Sequence, residues 1–183
     1  TLCEIDEWVI NASKKFFPKV STWFKNKKAS IIVWDGAEYI KKSNEKYDVI
    51  IVDSSDPIWP ANTLFTEQFY KSINEALEIS MKKNSKVILL GLGVDDPKGV
   101  FGTTDKLIQK FGKNRVFDMP TAENGMAGIA IGASIGGLKP VMTHQRLDFF
   151  LLAMDQLVNS AAKWYYMFGS RRSVPITIRL IMG

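Results

Sequence analysis

Acidic residues follow three successive apolar segments in the first part of this sequence, at Glu4, at Asp35 and at the pair Asp53 and Asp56. Carboxylates bind cationic groups and accept protons, so acids that converge on one site could form an active site. The stretch 53–57, DSSDP, is also rich in residues that favour a simple turn. From these residues alone, a turn and an active site are both open interpretations.

Strands and helices are predicted to alternate through residues 1–73. The predicted strands are 2–6, 29–36 and 47–53, and the helices that follow them are 7–17, 37–44 and 65–77. This alternation indicates βαβ units and a parallel sheet, and right-handed crossovers then bring the carboxyl ends of the strands to one edge. We therefore expect the acids to share that edge, where open α/β sheets bind ligands. Trp8, Ile10 and Phe16 of the first helix are available for a core.

The rest of the chain begins a second pattern of the same kind. It predicts a strand and loop at 86–96, a helix at 104–112 ended by Gly112, and a glycine-containing helical segment after 121. The GLG at 91–93 lacks the third glycine of a dinucleotide fingerprint and is not interpreted as a cofactor site. The segment 153–168 is predicted to be a buried interface helix whose aromatic residues contact a core or a partner.

Three glycines recur every four residues in the segment after residue 121, at Gly128, Gly132 and Gly136. This spacing places them on one helix face, where another backbone can approach closely. We therefore predict a packing function for these glycines.

Composition narrows the class of protein. The 183 residues are 46% hydrophobic, as in an ordinary globular chain of one or two domains. The single Cys3 allows no intrachain disulfide and suggests no metal cluster, so we predict no metal ligands in the chain. The net charge of +5 is spread as basic pairs without a long run, which argues against nucleic-acid binding. No signal peptide or apolar stretch long enough for a membrane span is evident, and we expect a cytoplasmic protein.

Residues 1–73 resemble the polyamine aminopropyltransferases, above all the spermidine synthases. The likeness rests on CEID at 3–6, WDGAEYIK at 34–41 and YDVIIVDSSDPIWPANTLFTEQFY at 47–70. The family uses decarboxylated S-adenosylmethionine as co-substrate, and the resemblance implies that Glu4 binds its ribose and Asp35 contacts its adenine. It further implies that Asp53 is the base for the attacking amine and that Asp56 anchors the diamine. Trp59 departs from the glycine usual between the two prolines of this family.

Residues 74–183 resemble the pyrimidine-binding domain of the transketolase-like group, in particular the beta subunit of 2-oxo-acid dehydrogenases that use thiamine diphosphate. The blocks that carry the likeness are 95–104, 115–141, 143–169 and 174–179. The resemblance implies that Glu123 is the catalytic glutamate that hydrogen-bonds the aminopyrimidine of thiamine diphosphate, and that Phe149 lies near the same ring. A helix-dipole role for Glu123 remains an alternative. His144 beside this site could make a structural hydrogen bond or transfer protons.

These observations together predict an α/β chain of parallel-sheet βαβ units. A partial Rossmann-like, methyltransferase-type segment at 1–73 precedes a partial transketolase-like pyrimidine-binding segment at 74–183. The resemblances imply a thiamine-diphosphate-binding segment that is not catalytically competent alone, with Mg²⁺ supplied by a partner domain. The alternatives are spermidine synthase-like aminopropyl transfer to putrescine and a structural hybrid without activity. We expect a homo-oligomer or an alpha-type partner subunit.

Overall fold

A computed structural model describes residues 1–44, 66–96 and 100–180 of the chain. The chain divides into two compact units, Thr1–Lys46 (unit 1) and Tyr47–Gly183 (unit 2). The predicted strand at 47–53, and with it Asp53 and Asp56, lies outside the described residues. Both units contain helices and parallel strands, so the predicted α/β class is confirmed. The predicted sequence division between residues 73 and 74 falls inside a continuous helix and stays a prediction.

Unit 1 contains a pair of parallel strands followed by helices. Its elements are β1 Leu2–Glu4, α1 Glu7–Phe16, a 3-10 turn Ser21–Lys25, β2 Ile31–Val33 and α2 Gly36–Lys42. Strands β1 and β2 are in register with Glu4 opposite Val33. The sequence prediction of parallel βα units therefore holds for the described part of this unit.

Aspartates begin both helices of unit 1. The Asp6 carboxylate accepts a hydrogen bond from the Trp8 amide at 2.8 Å, and the Asp35 carboxylate accepts one from the Glu38 amide at 3.0 Å. Each bond satisfies an amide that the first helical turn leaves without a partner. Acids that follow the strands therefore also start the next helix.

The core of unit 1 is smaller than the sequence suggested. Ile10 is 4% exposed, whereas Trp8 and Phe16 are 70% and 63% exposed, so the prediction that all three form a core was wrong. At 100° per residue, Trp8 and Phe16 lie roughly 200° and 240° around the helix from Ile10. Ile10 therefore faces a different side of α1 from Trp8 and Phe16, and the three side chains cannot share one buried face.

Unit 2 is built on four parallel strands in the order β4-β3-β5-β6. Its elements are α3 Glu67–Lys83, β3 Val87–Gly91, a 3-10 turn Val100–Gly102, α4 Leu107–Phe111, β4 Val116–Asp118, α5 Glu123–Ile135, β5 Lys139–His144, α6 Leu147–Phe150, a 3-10 turn Leu151–Ala153, a π-helix Gln156–Ala161, α7 Ala162–Met167 and β6 Thr177–Leu180. Gly91 is the register partner of both Asp118 and Thr143. The carboxyl ends of β3, β4 and β5 therefore lie side by side.

Helices cover both faces of this sheet. All five residues of the central strand β3 are buried, and its four apolar side chains alternate between two hydrophobic cores. Leu90 packs in a core with Met126 of α5, while Leu89 packs in a second core with Met81 of α3. Burying each such side chain stabilises the fold by about 1.5–3 kcal/mol. The sheet of unit 2 is thus a rigid support for the residues at its edge.

The spaced glycines of α5 do not pack against another backbone among the described residues. A Cβ added at Gly128 would meet the Gln156 side chain at 3.8 Å, and one added at Gly132 would meet nothing within 4 Å. A close approach of another backbone is therefore not found within the described part of the chain, and packing of these glycines against a partner stays a prediction. The opposite face of α5 supplies the residues that pack on the sheet.

The segment 153–168 is helical but not buried. It passes from the 3-10 turn through the π-helix Gln156–Ala161 into α7, and Tyr165, Tyr166 and Phe168 are 53%, 88% and 51% exposed. The core interpretation of these aromatic residues was wrong, while contact with a partner stays a prediction. Among the described helices, none is long and apolar enough to span a bilayer.

Candidate functional site

The end of strand β3 requires glycine. Gly91 has φ of +148°, and a Cβ at this position would lie 2.0 Å from the carbonyl oxygen of Thr143. The same carbonyl accepts a hydrogen bond from the Leu92 amide at 3.1 Å, and the Gly91 carbonyl accepts one from the Met119 amide at 2.9 Å. These close contacts bring the residues that follow β3, β4 and β5 together.

Strands β3 and β5 are neighbours whose chains leave in opposite directions, β3 towards β4 and β5 towards β6. Such a switch in direction opens a crevice beyond the carboxyl ends of the strands, where α/β proteins bind ligands. A cavity of about 320 Å³ lies there. It is lined by Leu92, Gly93, Asp118, Met119, Thr121, Glu123, His144, Gln145 and Phe149. Its volume is that of a small-molecule site.

Glu123 is the first residue of α5 and lines the cavity while being only 8% exposed. No side chain caps this helix end at Ala122. The positive end of the helix dipole favours a carboxylate at this position, which agrees with the helix-dipole interpretation. That role and contact with a ligand are compatible, because the side chain lies at the helix end and in the cavity wall.

Phe149 supplies an aromatic surface to the cavity. It is 50% exposed, whereas its neighbour Phe150 is 5% exposed and belongs to the core. The Arg146 guanidinium lies 5.6 Å from the centre of the Phe149 ring and pairs with Asp148 at 3.1 Å. The structure thus brings both residues that the second resemblance singled out, Phe149 and Glu123, to one cavity.

His144 ends strand β5 and also lines the cavity. It is fully buried, and neither ring nitrogen makes a hydrogen bond of standard geometry to a described residue, although the Arg146 backbone is close enough to raise the pKa of the ring. The structural and the proton-transfer interpretations of His144 both stay predictions. The ring packs edge-on against Phe150 with centroids 5.3 Å apart. Burial lowers the pKa of His144, while the Glu123 carboxylate and the Arg146 backbone partly oppose this effect. The imidazole is therefore neutral near pH 7.

Sequence reasoning missed six of the cavity residues, namely Leu92, Gly93, Asp118, Met119, Thr121 and Gln145. The sequence did contain a signal for Asp118, because this residue ends β4 just as acids follow the strands of unit 1. Its Oδ1 accepts a hydrogen bond from the Val94 amide at 3.1 Å, which fixes the loop after β3. The GLG at 91–93, set aside as a dinucleotide motif, contributes Gly93 to the cavity wall.

In unit 1, Glu4 and Asp35 lie near the carboxyl ends of the two paired strands. Glu4 Oε1 accepts a hydrogen bond from the Asp6 amide at 3.0 Å, and Asp35 caps α2. Burial raises the pKa of the Cys3 thiol, and both carboxylates raise it further. Glu4 and Asp35 are therefore close enough to act on one group, while Asp53 and Asp56 lie outside the described residues.

Across residues 1–44, 66–96 and 100–180, no three histidine, cysteine, aspartate or glutamate side chains form a group that could hold a metal ion. The fold and the cavity define a parallel α/β protein with a candidate ligand site at the carboxyl edge of its sheet. A family model of the spermine/spermidine synthase domain matches residues 1–134. The chain belongs to this family.

Curated relatives add a second likeness. The chain is 37% identical over 126 residues to the pyruvate dehydrogenase E1 component subunit beta of Rhizobium meliloti (strain 1021), covering 68% of this chain and 27% of that protein. It is 40% identical over 109 residues to the mitochondrial pyruvate dehydrogenase E1 component subunit beta of Bos taurus, covering 60% of this chain and 30% of that protein. It is 40% identical over 124 residues to the acetoin:2,6-dichlorophenolindophenol oxidoreductase subunit beta of Bacillus subtilis (strain 168), covering 61% of this chain and 36% of that protein.

The two likenesses share residues. Residues 135–183 are too few to contain a match that covers 68% of the chain, so this match overlaps the family match over 1–134. The chain spans about a third of the length of these curated relatives. The predicted resemblance to two protein families is confirmed.

Proposed function

We propose that unit 2 is a thiamine-diphosphate-binding segment of the kind found in 2-oxo-acid dehydrogenase beta subunits, joined to an aminopropyltransferase-like segment. The observation that carries this proposal is the cavity between β3 and β5, which brings Glu123 and Phe149 together. The relatives named as pyruvate dehydrogenase E1 beta subunits support the same cofactor class.

The residues of the cavity fit the aminopyrimidine part of this cofactor. The carboxylate of Glu123 can accept a hydrogen bond from a protonated ring nitrogen, and Phe149 offers an aromatic surface for a flat ring. Leu92 and Met119 add apolar side chains to the lining of the cavity. When bound, thiamine diphosphate supplies the carbon nucleophile that attacks a 2-oxo acid.

The diphosphate and its Mg²⁺ need groups from elsewhere. The described residues hold no cluster of metal ligands. The curated relatives are named as beta subunits, and this name implies a further subunit. We therefore propose an alpha-type partner subunit, or a second copy of this chain, that supplies the metal-binding part. The exposed aromatic residues of α7 provide an apolar surface for such a contact.

The cofactor proposal is tested by thermal denaturation of the full chain with thiamine diphosphate and Mg²⁺. A ligand that binds the native state stabilises it by about 2.7 kcal/mol at a hundred times its dissociation constant. We expect Glu123→Gln to abolish the rise in melting temperature and Glu75→Gln, which removes an exposed charge in the same unit, to preserve it. An unchanged melting temperature in the unmodified chain would contradict the proposal.

A second candidate function is aminopropyl transfer from decarboxylated S-adenosylmethionine to putrescine. It is favoured by the family match and by the position of Glu4 and Asp35 at the ends of two parallel strands. In this proposal Glu4 and Asp35 bind the nucleoside, Asp53 acts as the base and Asp56 anchors the diamine. Stabilisation by methylthioadenosine, lost in Glu4→Gln, would favour this function over the first.

We expect the isolated chain to turn over neither class of substrate. The described residues hold no cluster of metal ligands that would orient a diphosphate. A misplacement of reacting groups by about 1 Å can cost on the order of a hundredfold in rate. The assays are spermidine formation from putrescine and pyruvate decarboxylation with thiamine diphosphate and Mg²⁺. Turnover that is lost in Asp53→Asn or in Glu123→Gln would show that the chain alone is competent. If neither ligand stabilises the chain, a structural hybrid without activity is the better account.

A further inference from the structure

Lysines and apolar side chains share one exposed surface of unit 1. Residues 8–34 contain six lysines and no aspartate or glutamate. All six lysines are exposed, and none of them forms an ion pair with a described residue. They are Lys14, Lys15, Lys19, Lys25, Lys27 and Lys28. The exposed side chains of residues 14–28 are called the lysine–aromatic surface below.

The fold collects these lysines at one end of unit 1. Strands β1 and β2 are parallel, so the chain that leaves the carboxyl end of β1 returns through α1 to the amino end of β2. The end of α1 and residues 17–30 therefore lie at the amino end of the strands. The described acids of unit 1 lie at or near the opposite, carboxyl end, and they are Glu4, Asp6, Glu7, Asp35 and Glu38. Unit 1 thus has a basic end and a separate acidic end.

Large apolar side chains project between the lysines instead of packing in a core. Val20 is 73% exposed, and its neighbours Phe16, Phe17 and Trp23 are 63%, 63% and 44% exposed. Single exposed apolar residues are common on protein surfaces, whereas a contiguous group of them marks a surface that binds something else. The lysines on either side indicate that what covers this group carries negative charge.

Positive charges and aromatic rings lie side by side within this surface. The Lys15 ammonium is 5.1 Å from the centre of the Phe16 ring, and the Lys14 ammonium is 5.6 Å from the centre of the Phe24 ring. A cavity of about 470 Å³ lies next to them, and its lining consists of Lys14, Pro18, Ser21, Phe24 and Lys25. This cavity has room for a phosphate group between two lysines.

We propose that the lysine–aromatic surface binds the anionic headgroups of a phospholipid bilayer, with Phe16, Phe17 and Val20 entering the layer below the headgroups. Segments that lie in a bilayer interface combine lysines with phenylalanine, tryptophan and aliphatic side chains in this way. A nucleic acid offers Val20 no apolar layer to enter, and the cores of protein interfaces are poor in lysine. The contact is peripheral, needs no spanning helix, and does not depend on the proposed function of unit 2.

The test is sedimentation of the full chain with phosphatidylcholine vesicles that contain or lack phosphatidylserine. Each lysine close to an anionic bilayer strengthens binding by about fivefold, so we expect the phosphatidylserine vesicles to bind the chain at least about tenfold more tightly. We also expect this affinity to fall as the salt concentration rises, because mobile ions screen exposed charges. Equal binding to both kinds of vesicle, or binding to neither, overturns the proposal.

The charge variant combines Lys14→Gln with Lys25→Gln, and we expect it to bind the anionic vesicles about 25-fold more weakly. Its matched control combines Lys113→Gln with Lys139→Gln, which removes the same charge from exposed positions of unit 2. The control should keep nearly all of the affinity. Equal losses from the two pairs would show that net charge rather than this surface attracts the bilayer, and the proposal would then be wrong.

The apolar variant is Val20→Ser. Salt does not screen apolar burial, so we expect this variant to bind the anionic vesicles more weakly than the unmodified chain at low and at high salt. Its urea denaturation should be unchanged, because the side chain it replaces is exposed. Unchanged vesicle binding in Val20→Ser, or tighter binding of the unmodified chain to duplex DNA than to the vesicles, overturns the proposal. If the lysine pair does not fold, the salt titration and Val20→Ser decide.

Discussion

The two compact units share the same alternation of strands and helices but differ in how much of the sheet is covered. In unit 2, the central strand β3 is buried along its whole length, and cores lie on both of its faces. In unit 1, β1 and β2 have no fully buried residue, and Ile10 is the buried hydrophobic residue among those described. Alternation in the sequence therefore predicts that the strands pair in parallel, whereas stability depends on how many apolar side chains each unit buries.

The largest expected effect follows substitution of the glycine that ends β3. We expect Gly91→Ala to destabilise unit 2 by about 4–5 kcal/mol or more, because the new Cβ would overlap the Thr143 carbonyl and the φ of +148° would be strained. Gly36→Ala in unit 1 is the matched control. Its Cβ would meet nothing within 4 Å at the first turn of α2, and we expect no loss of stability. Denaturation in urea, followed by hydrogen exchange of each unit, measures both.

The next effect compares one large side chain from each unit. Leu90→Ala leaves a cavity in a core that excludes solvent and should cost about 2–5 kcal/mol. Trp8→Ala removes a larger side chain that is 70% exposed and should change stability by about 0.5 kcal/mol or less. A large loss from Trp8→Ala, measured in the same urea titration, would show that unit 1 buries this residue in solution.

A smaller effect is expected at the start of α2. Asp35→Ala removes the carboxylate that accepts the Glu38 amide and should cost about 1 kcal/mol. Asp35→Asn keeps an accepting oxygen at this position and should cost only a few tenths of a kcal/mol. If Asp35 also binds a nucleoside through its charge, Asp35→Asn will weaken methylthioadenosine binding without loss of stability, as calorimetry and urea denaturation can show.

The smallest effect is the pH dependence that His144 gives to unit 2. Its folded-state pKa lies below the unfolded value because burial disfavours the imidazolium. The unfolded chain therefore binds the proton first, so this stability is present above about pH 6.5 and is lost as the pH falls through the folded-state pKa. His144→Phe should lose less stability than the unmodified chain between about pH 7 and pH 5, the range of imidazole titration. Parallel curves for the two proteins would contradict this.

Much of unit 2 could be predicted from its sequence. Glu123 and Phe149 are 26 positions apart in the numbering, and they lie at one cavity because β4 and β5 flank β3 in a parallel sheet. The crossover rule predicts a common edge for strand ends, but it does not give the order of the strands. For that reason Gly93 and Asp118 were not recognised as neighbours of Glu123.

Other errors have different physical causes. The angle between Trp8 and Ile10 around α1 shows from the sequence that these side chains cannot share one buried face, but it does not show which of them is buried. The unsatisfied nitrogens of His144 could not be deduced, because they depend on which carbonyls and carboxylates fall within reach in three dimensions. The open face at Gly132 depends likewise on what packs against α5, which spacing along the chain does not reveal.

The π-helix Gln156–Ala161 has a consequence for how this surface can evolve. A π-helical turn accommodates one residue more than an α-helical turn. Because the extra residue is absorbed within that turn, deleting a single residue there would restore α-helical winding and leave the residues downstream on about the same side of the axis. We expect Tyr165 and Tyr166 to keep their exposure after such a deletion, whereas a deletion in the first turn of α7 would rotate them by about 100°. The π-helical turn is thus a place where the length of the chain can change while the same aromatic groups stay available to a partner.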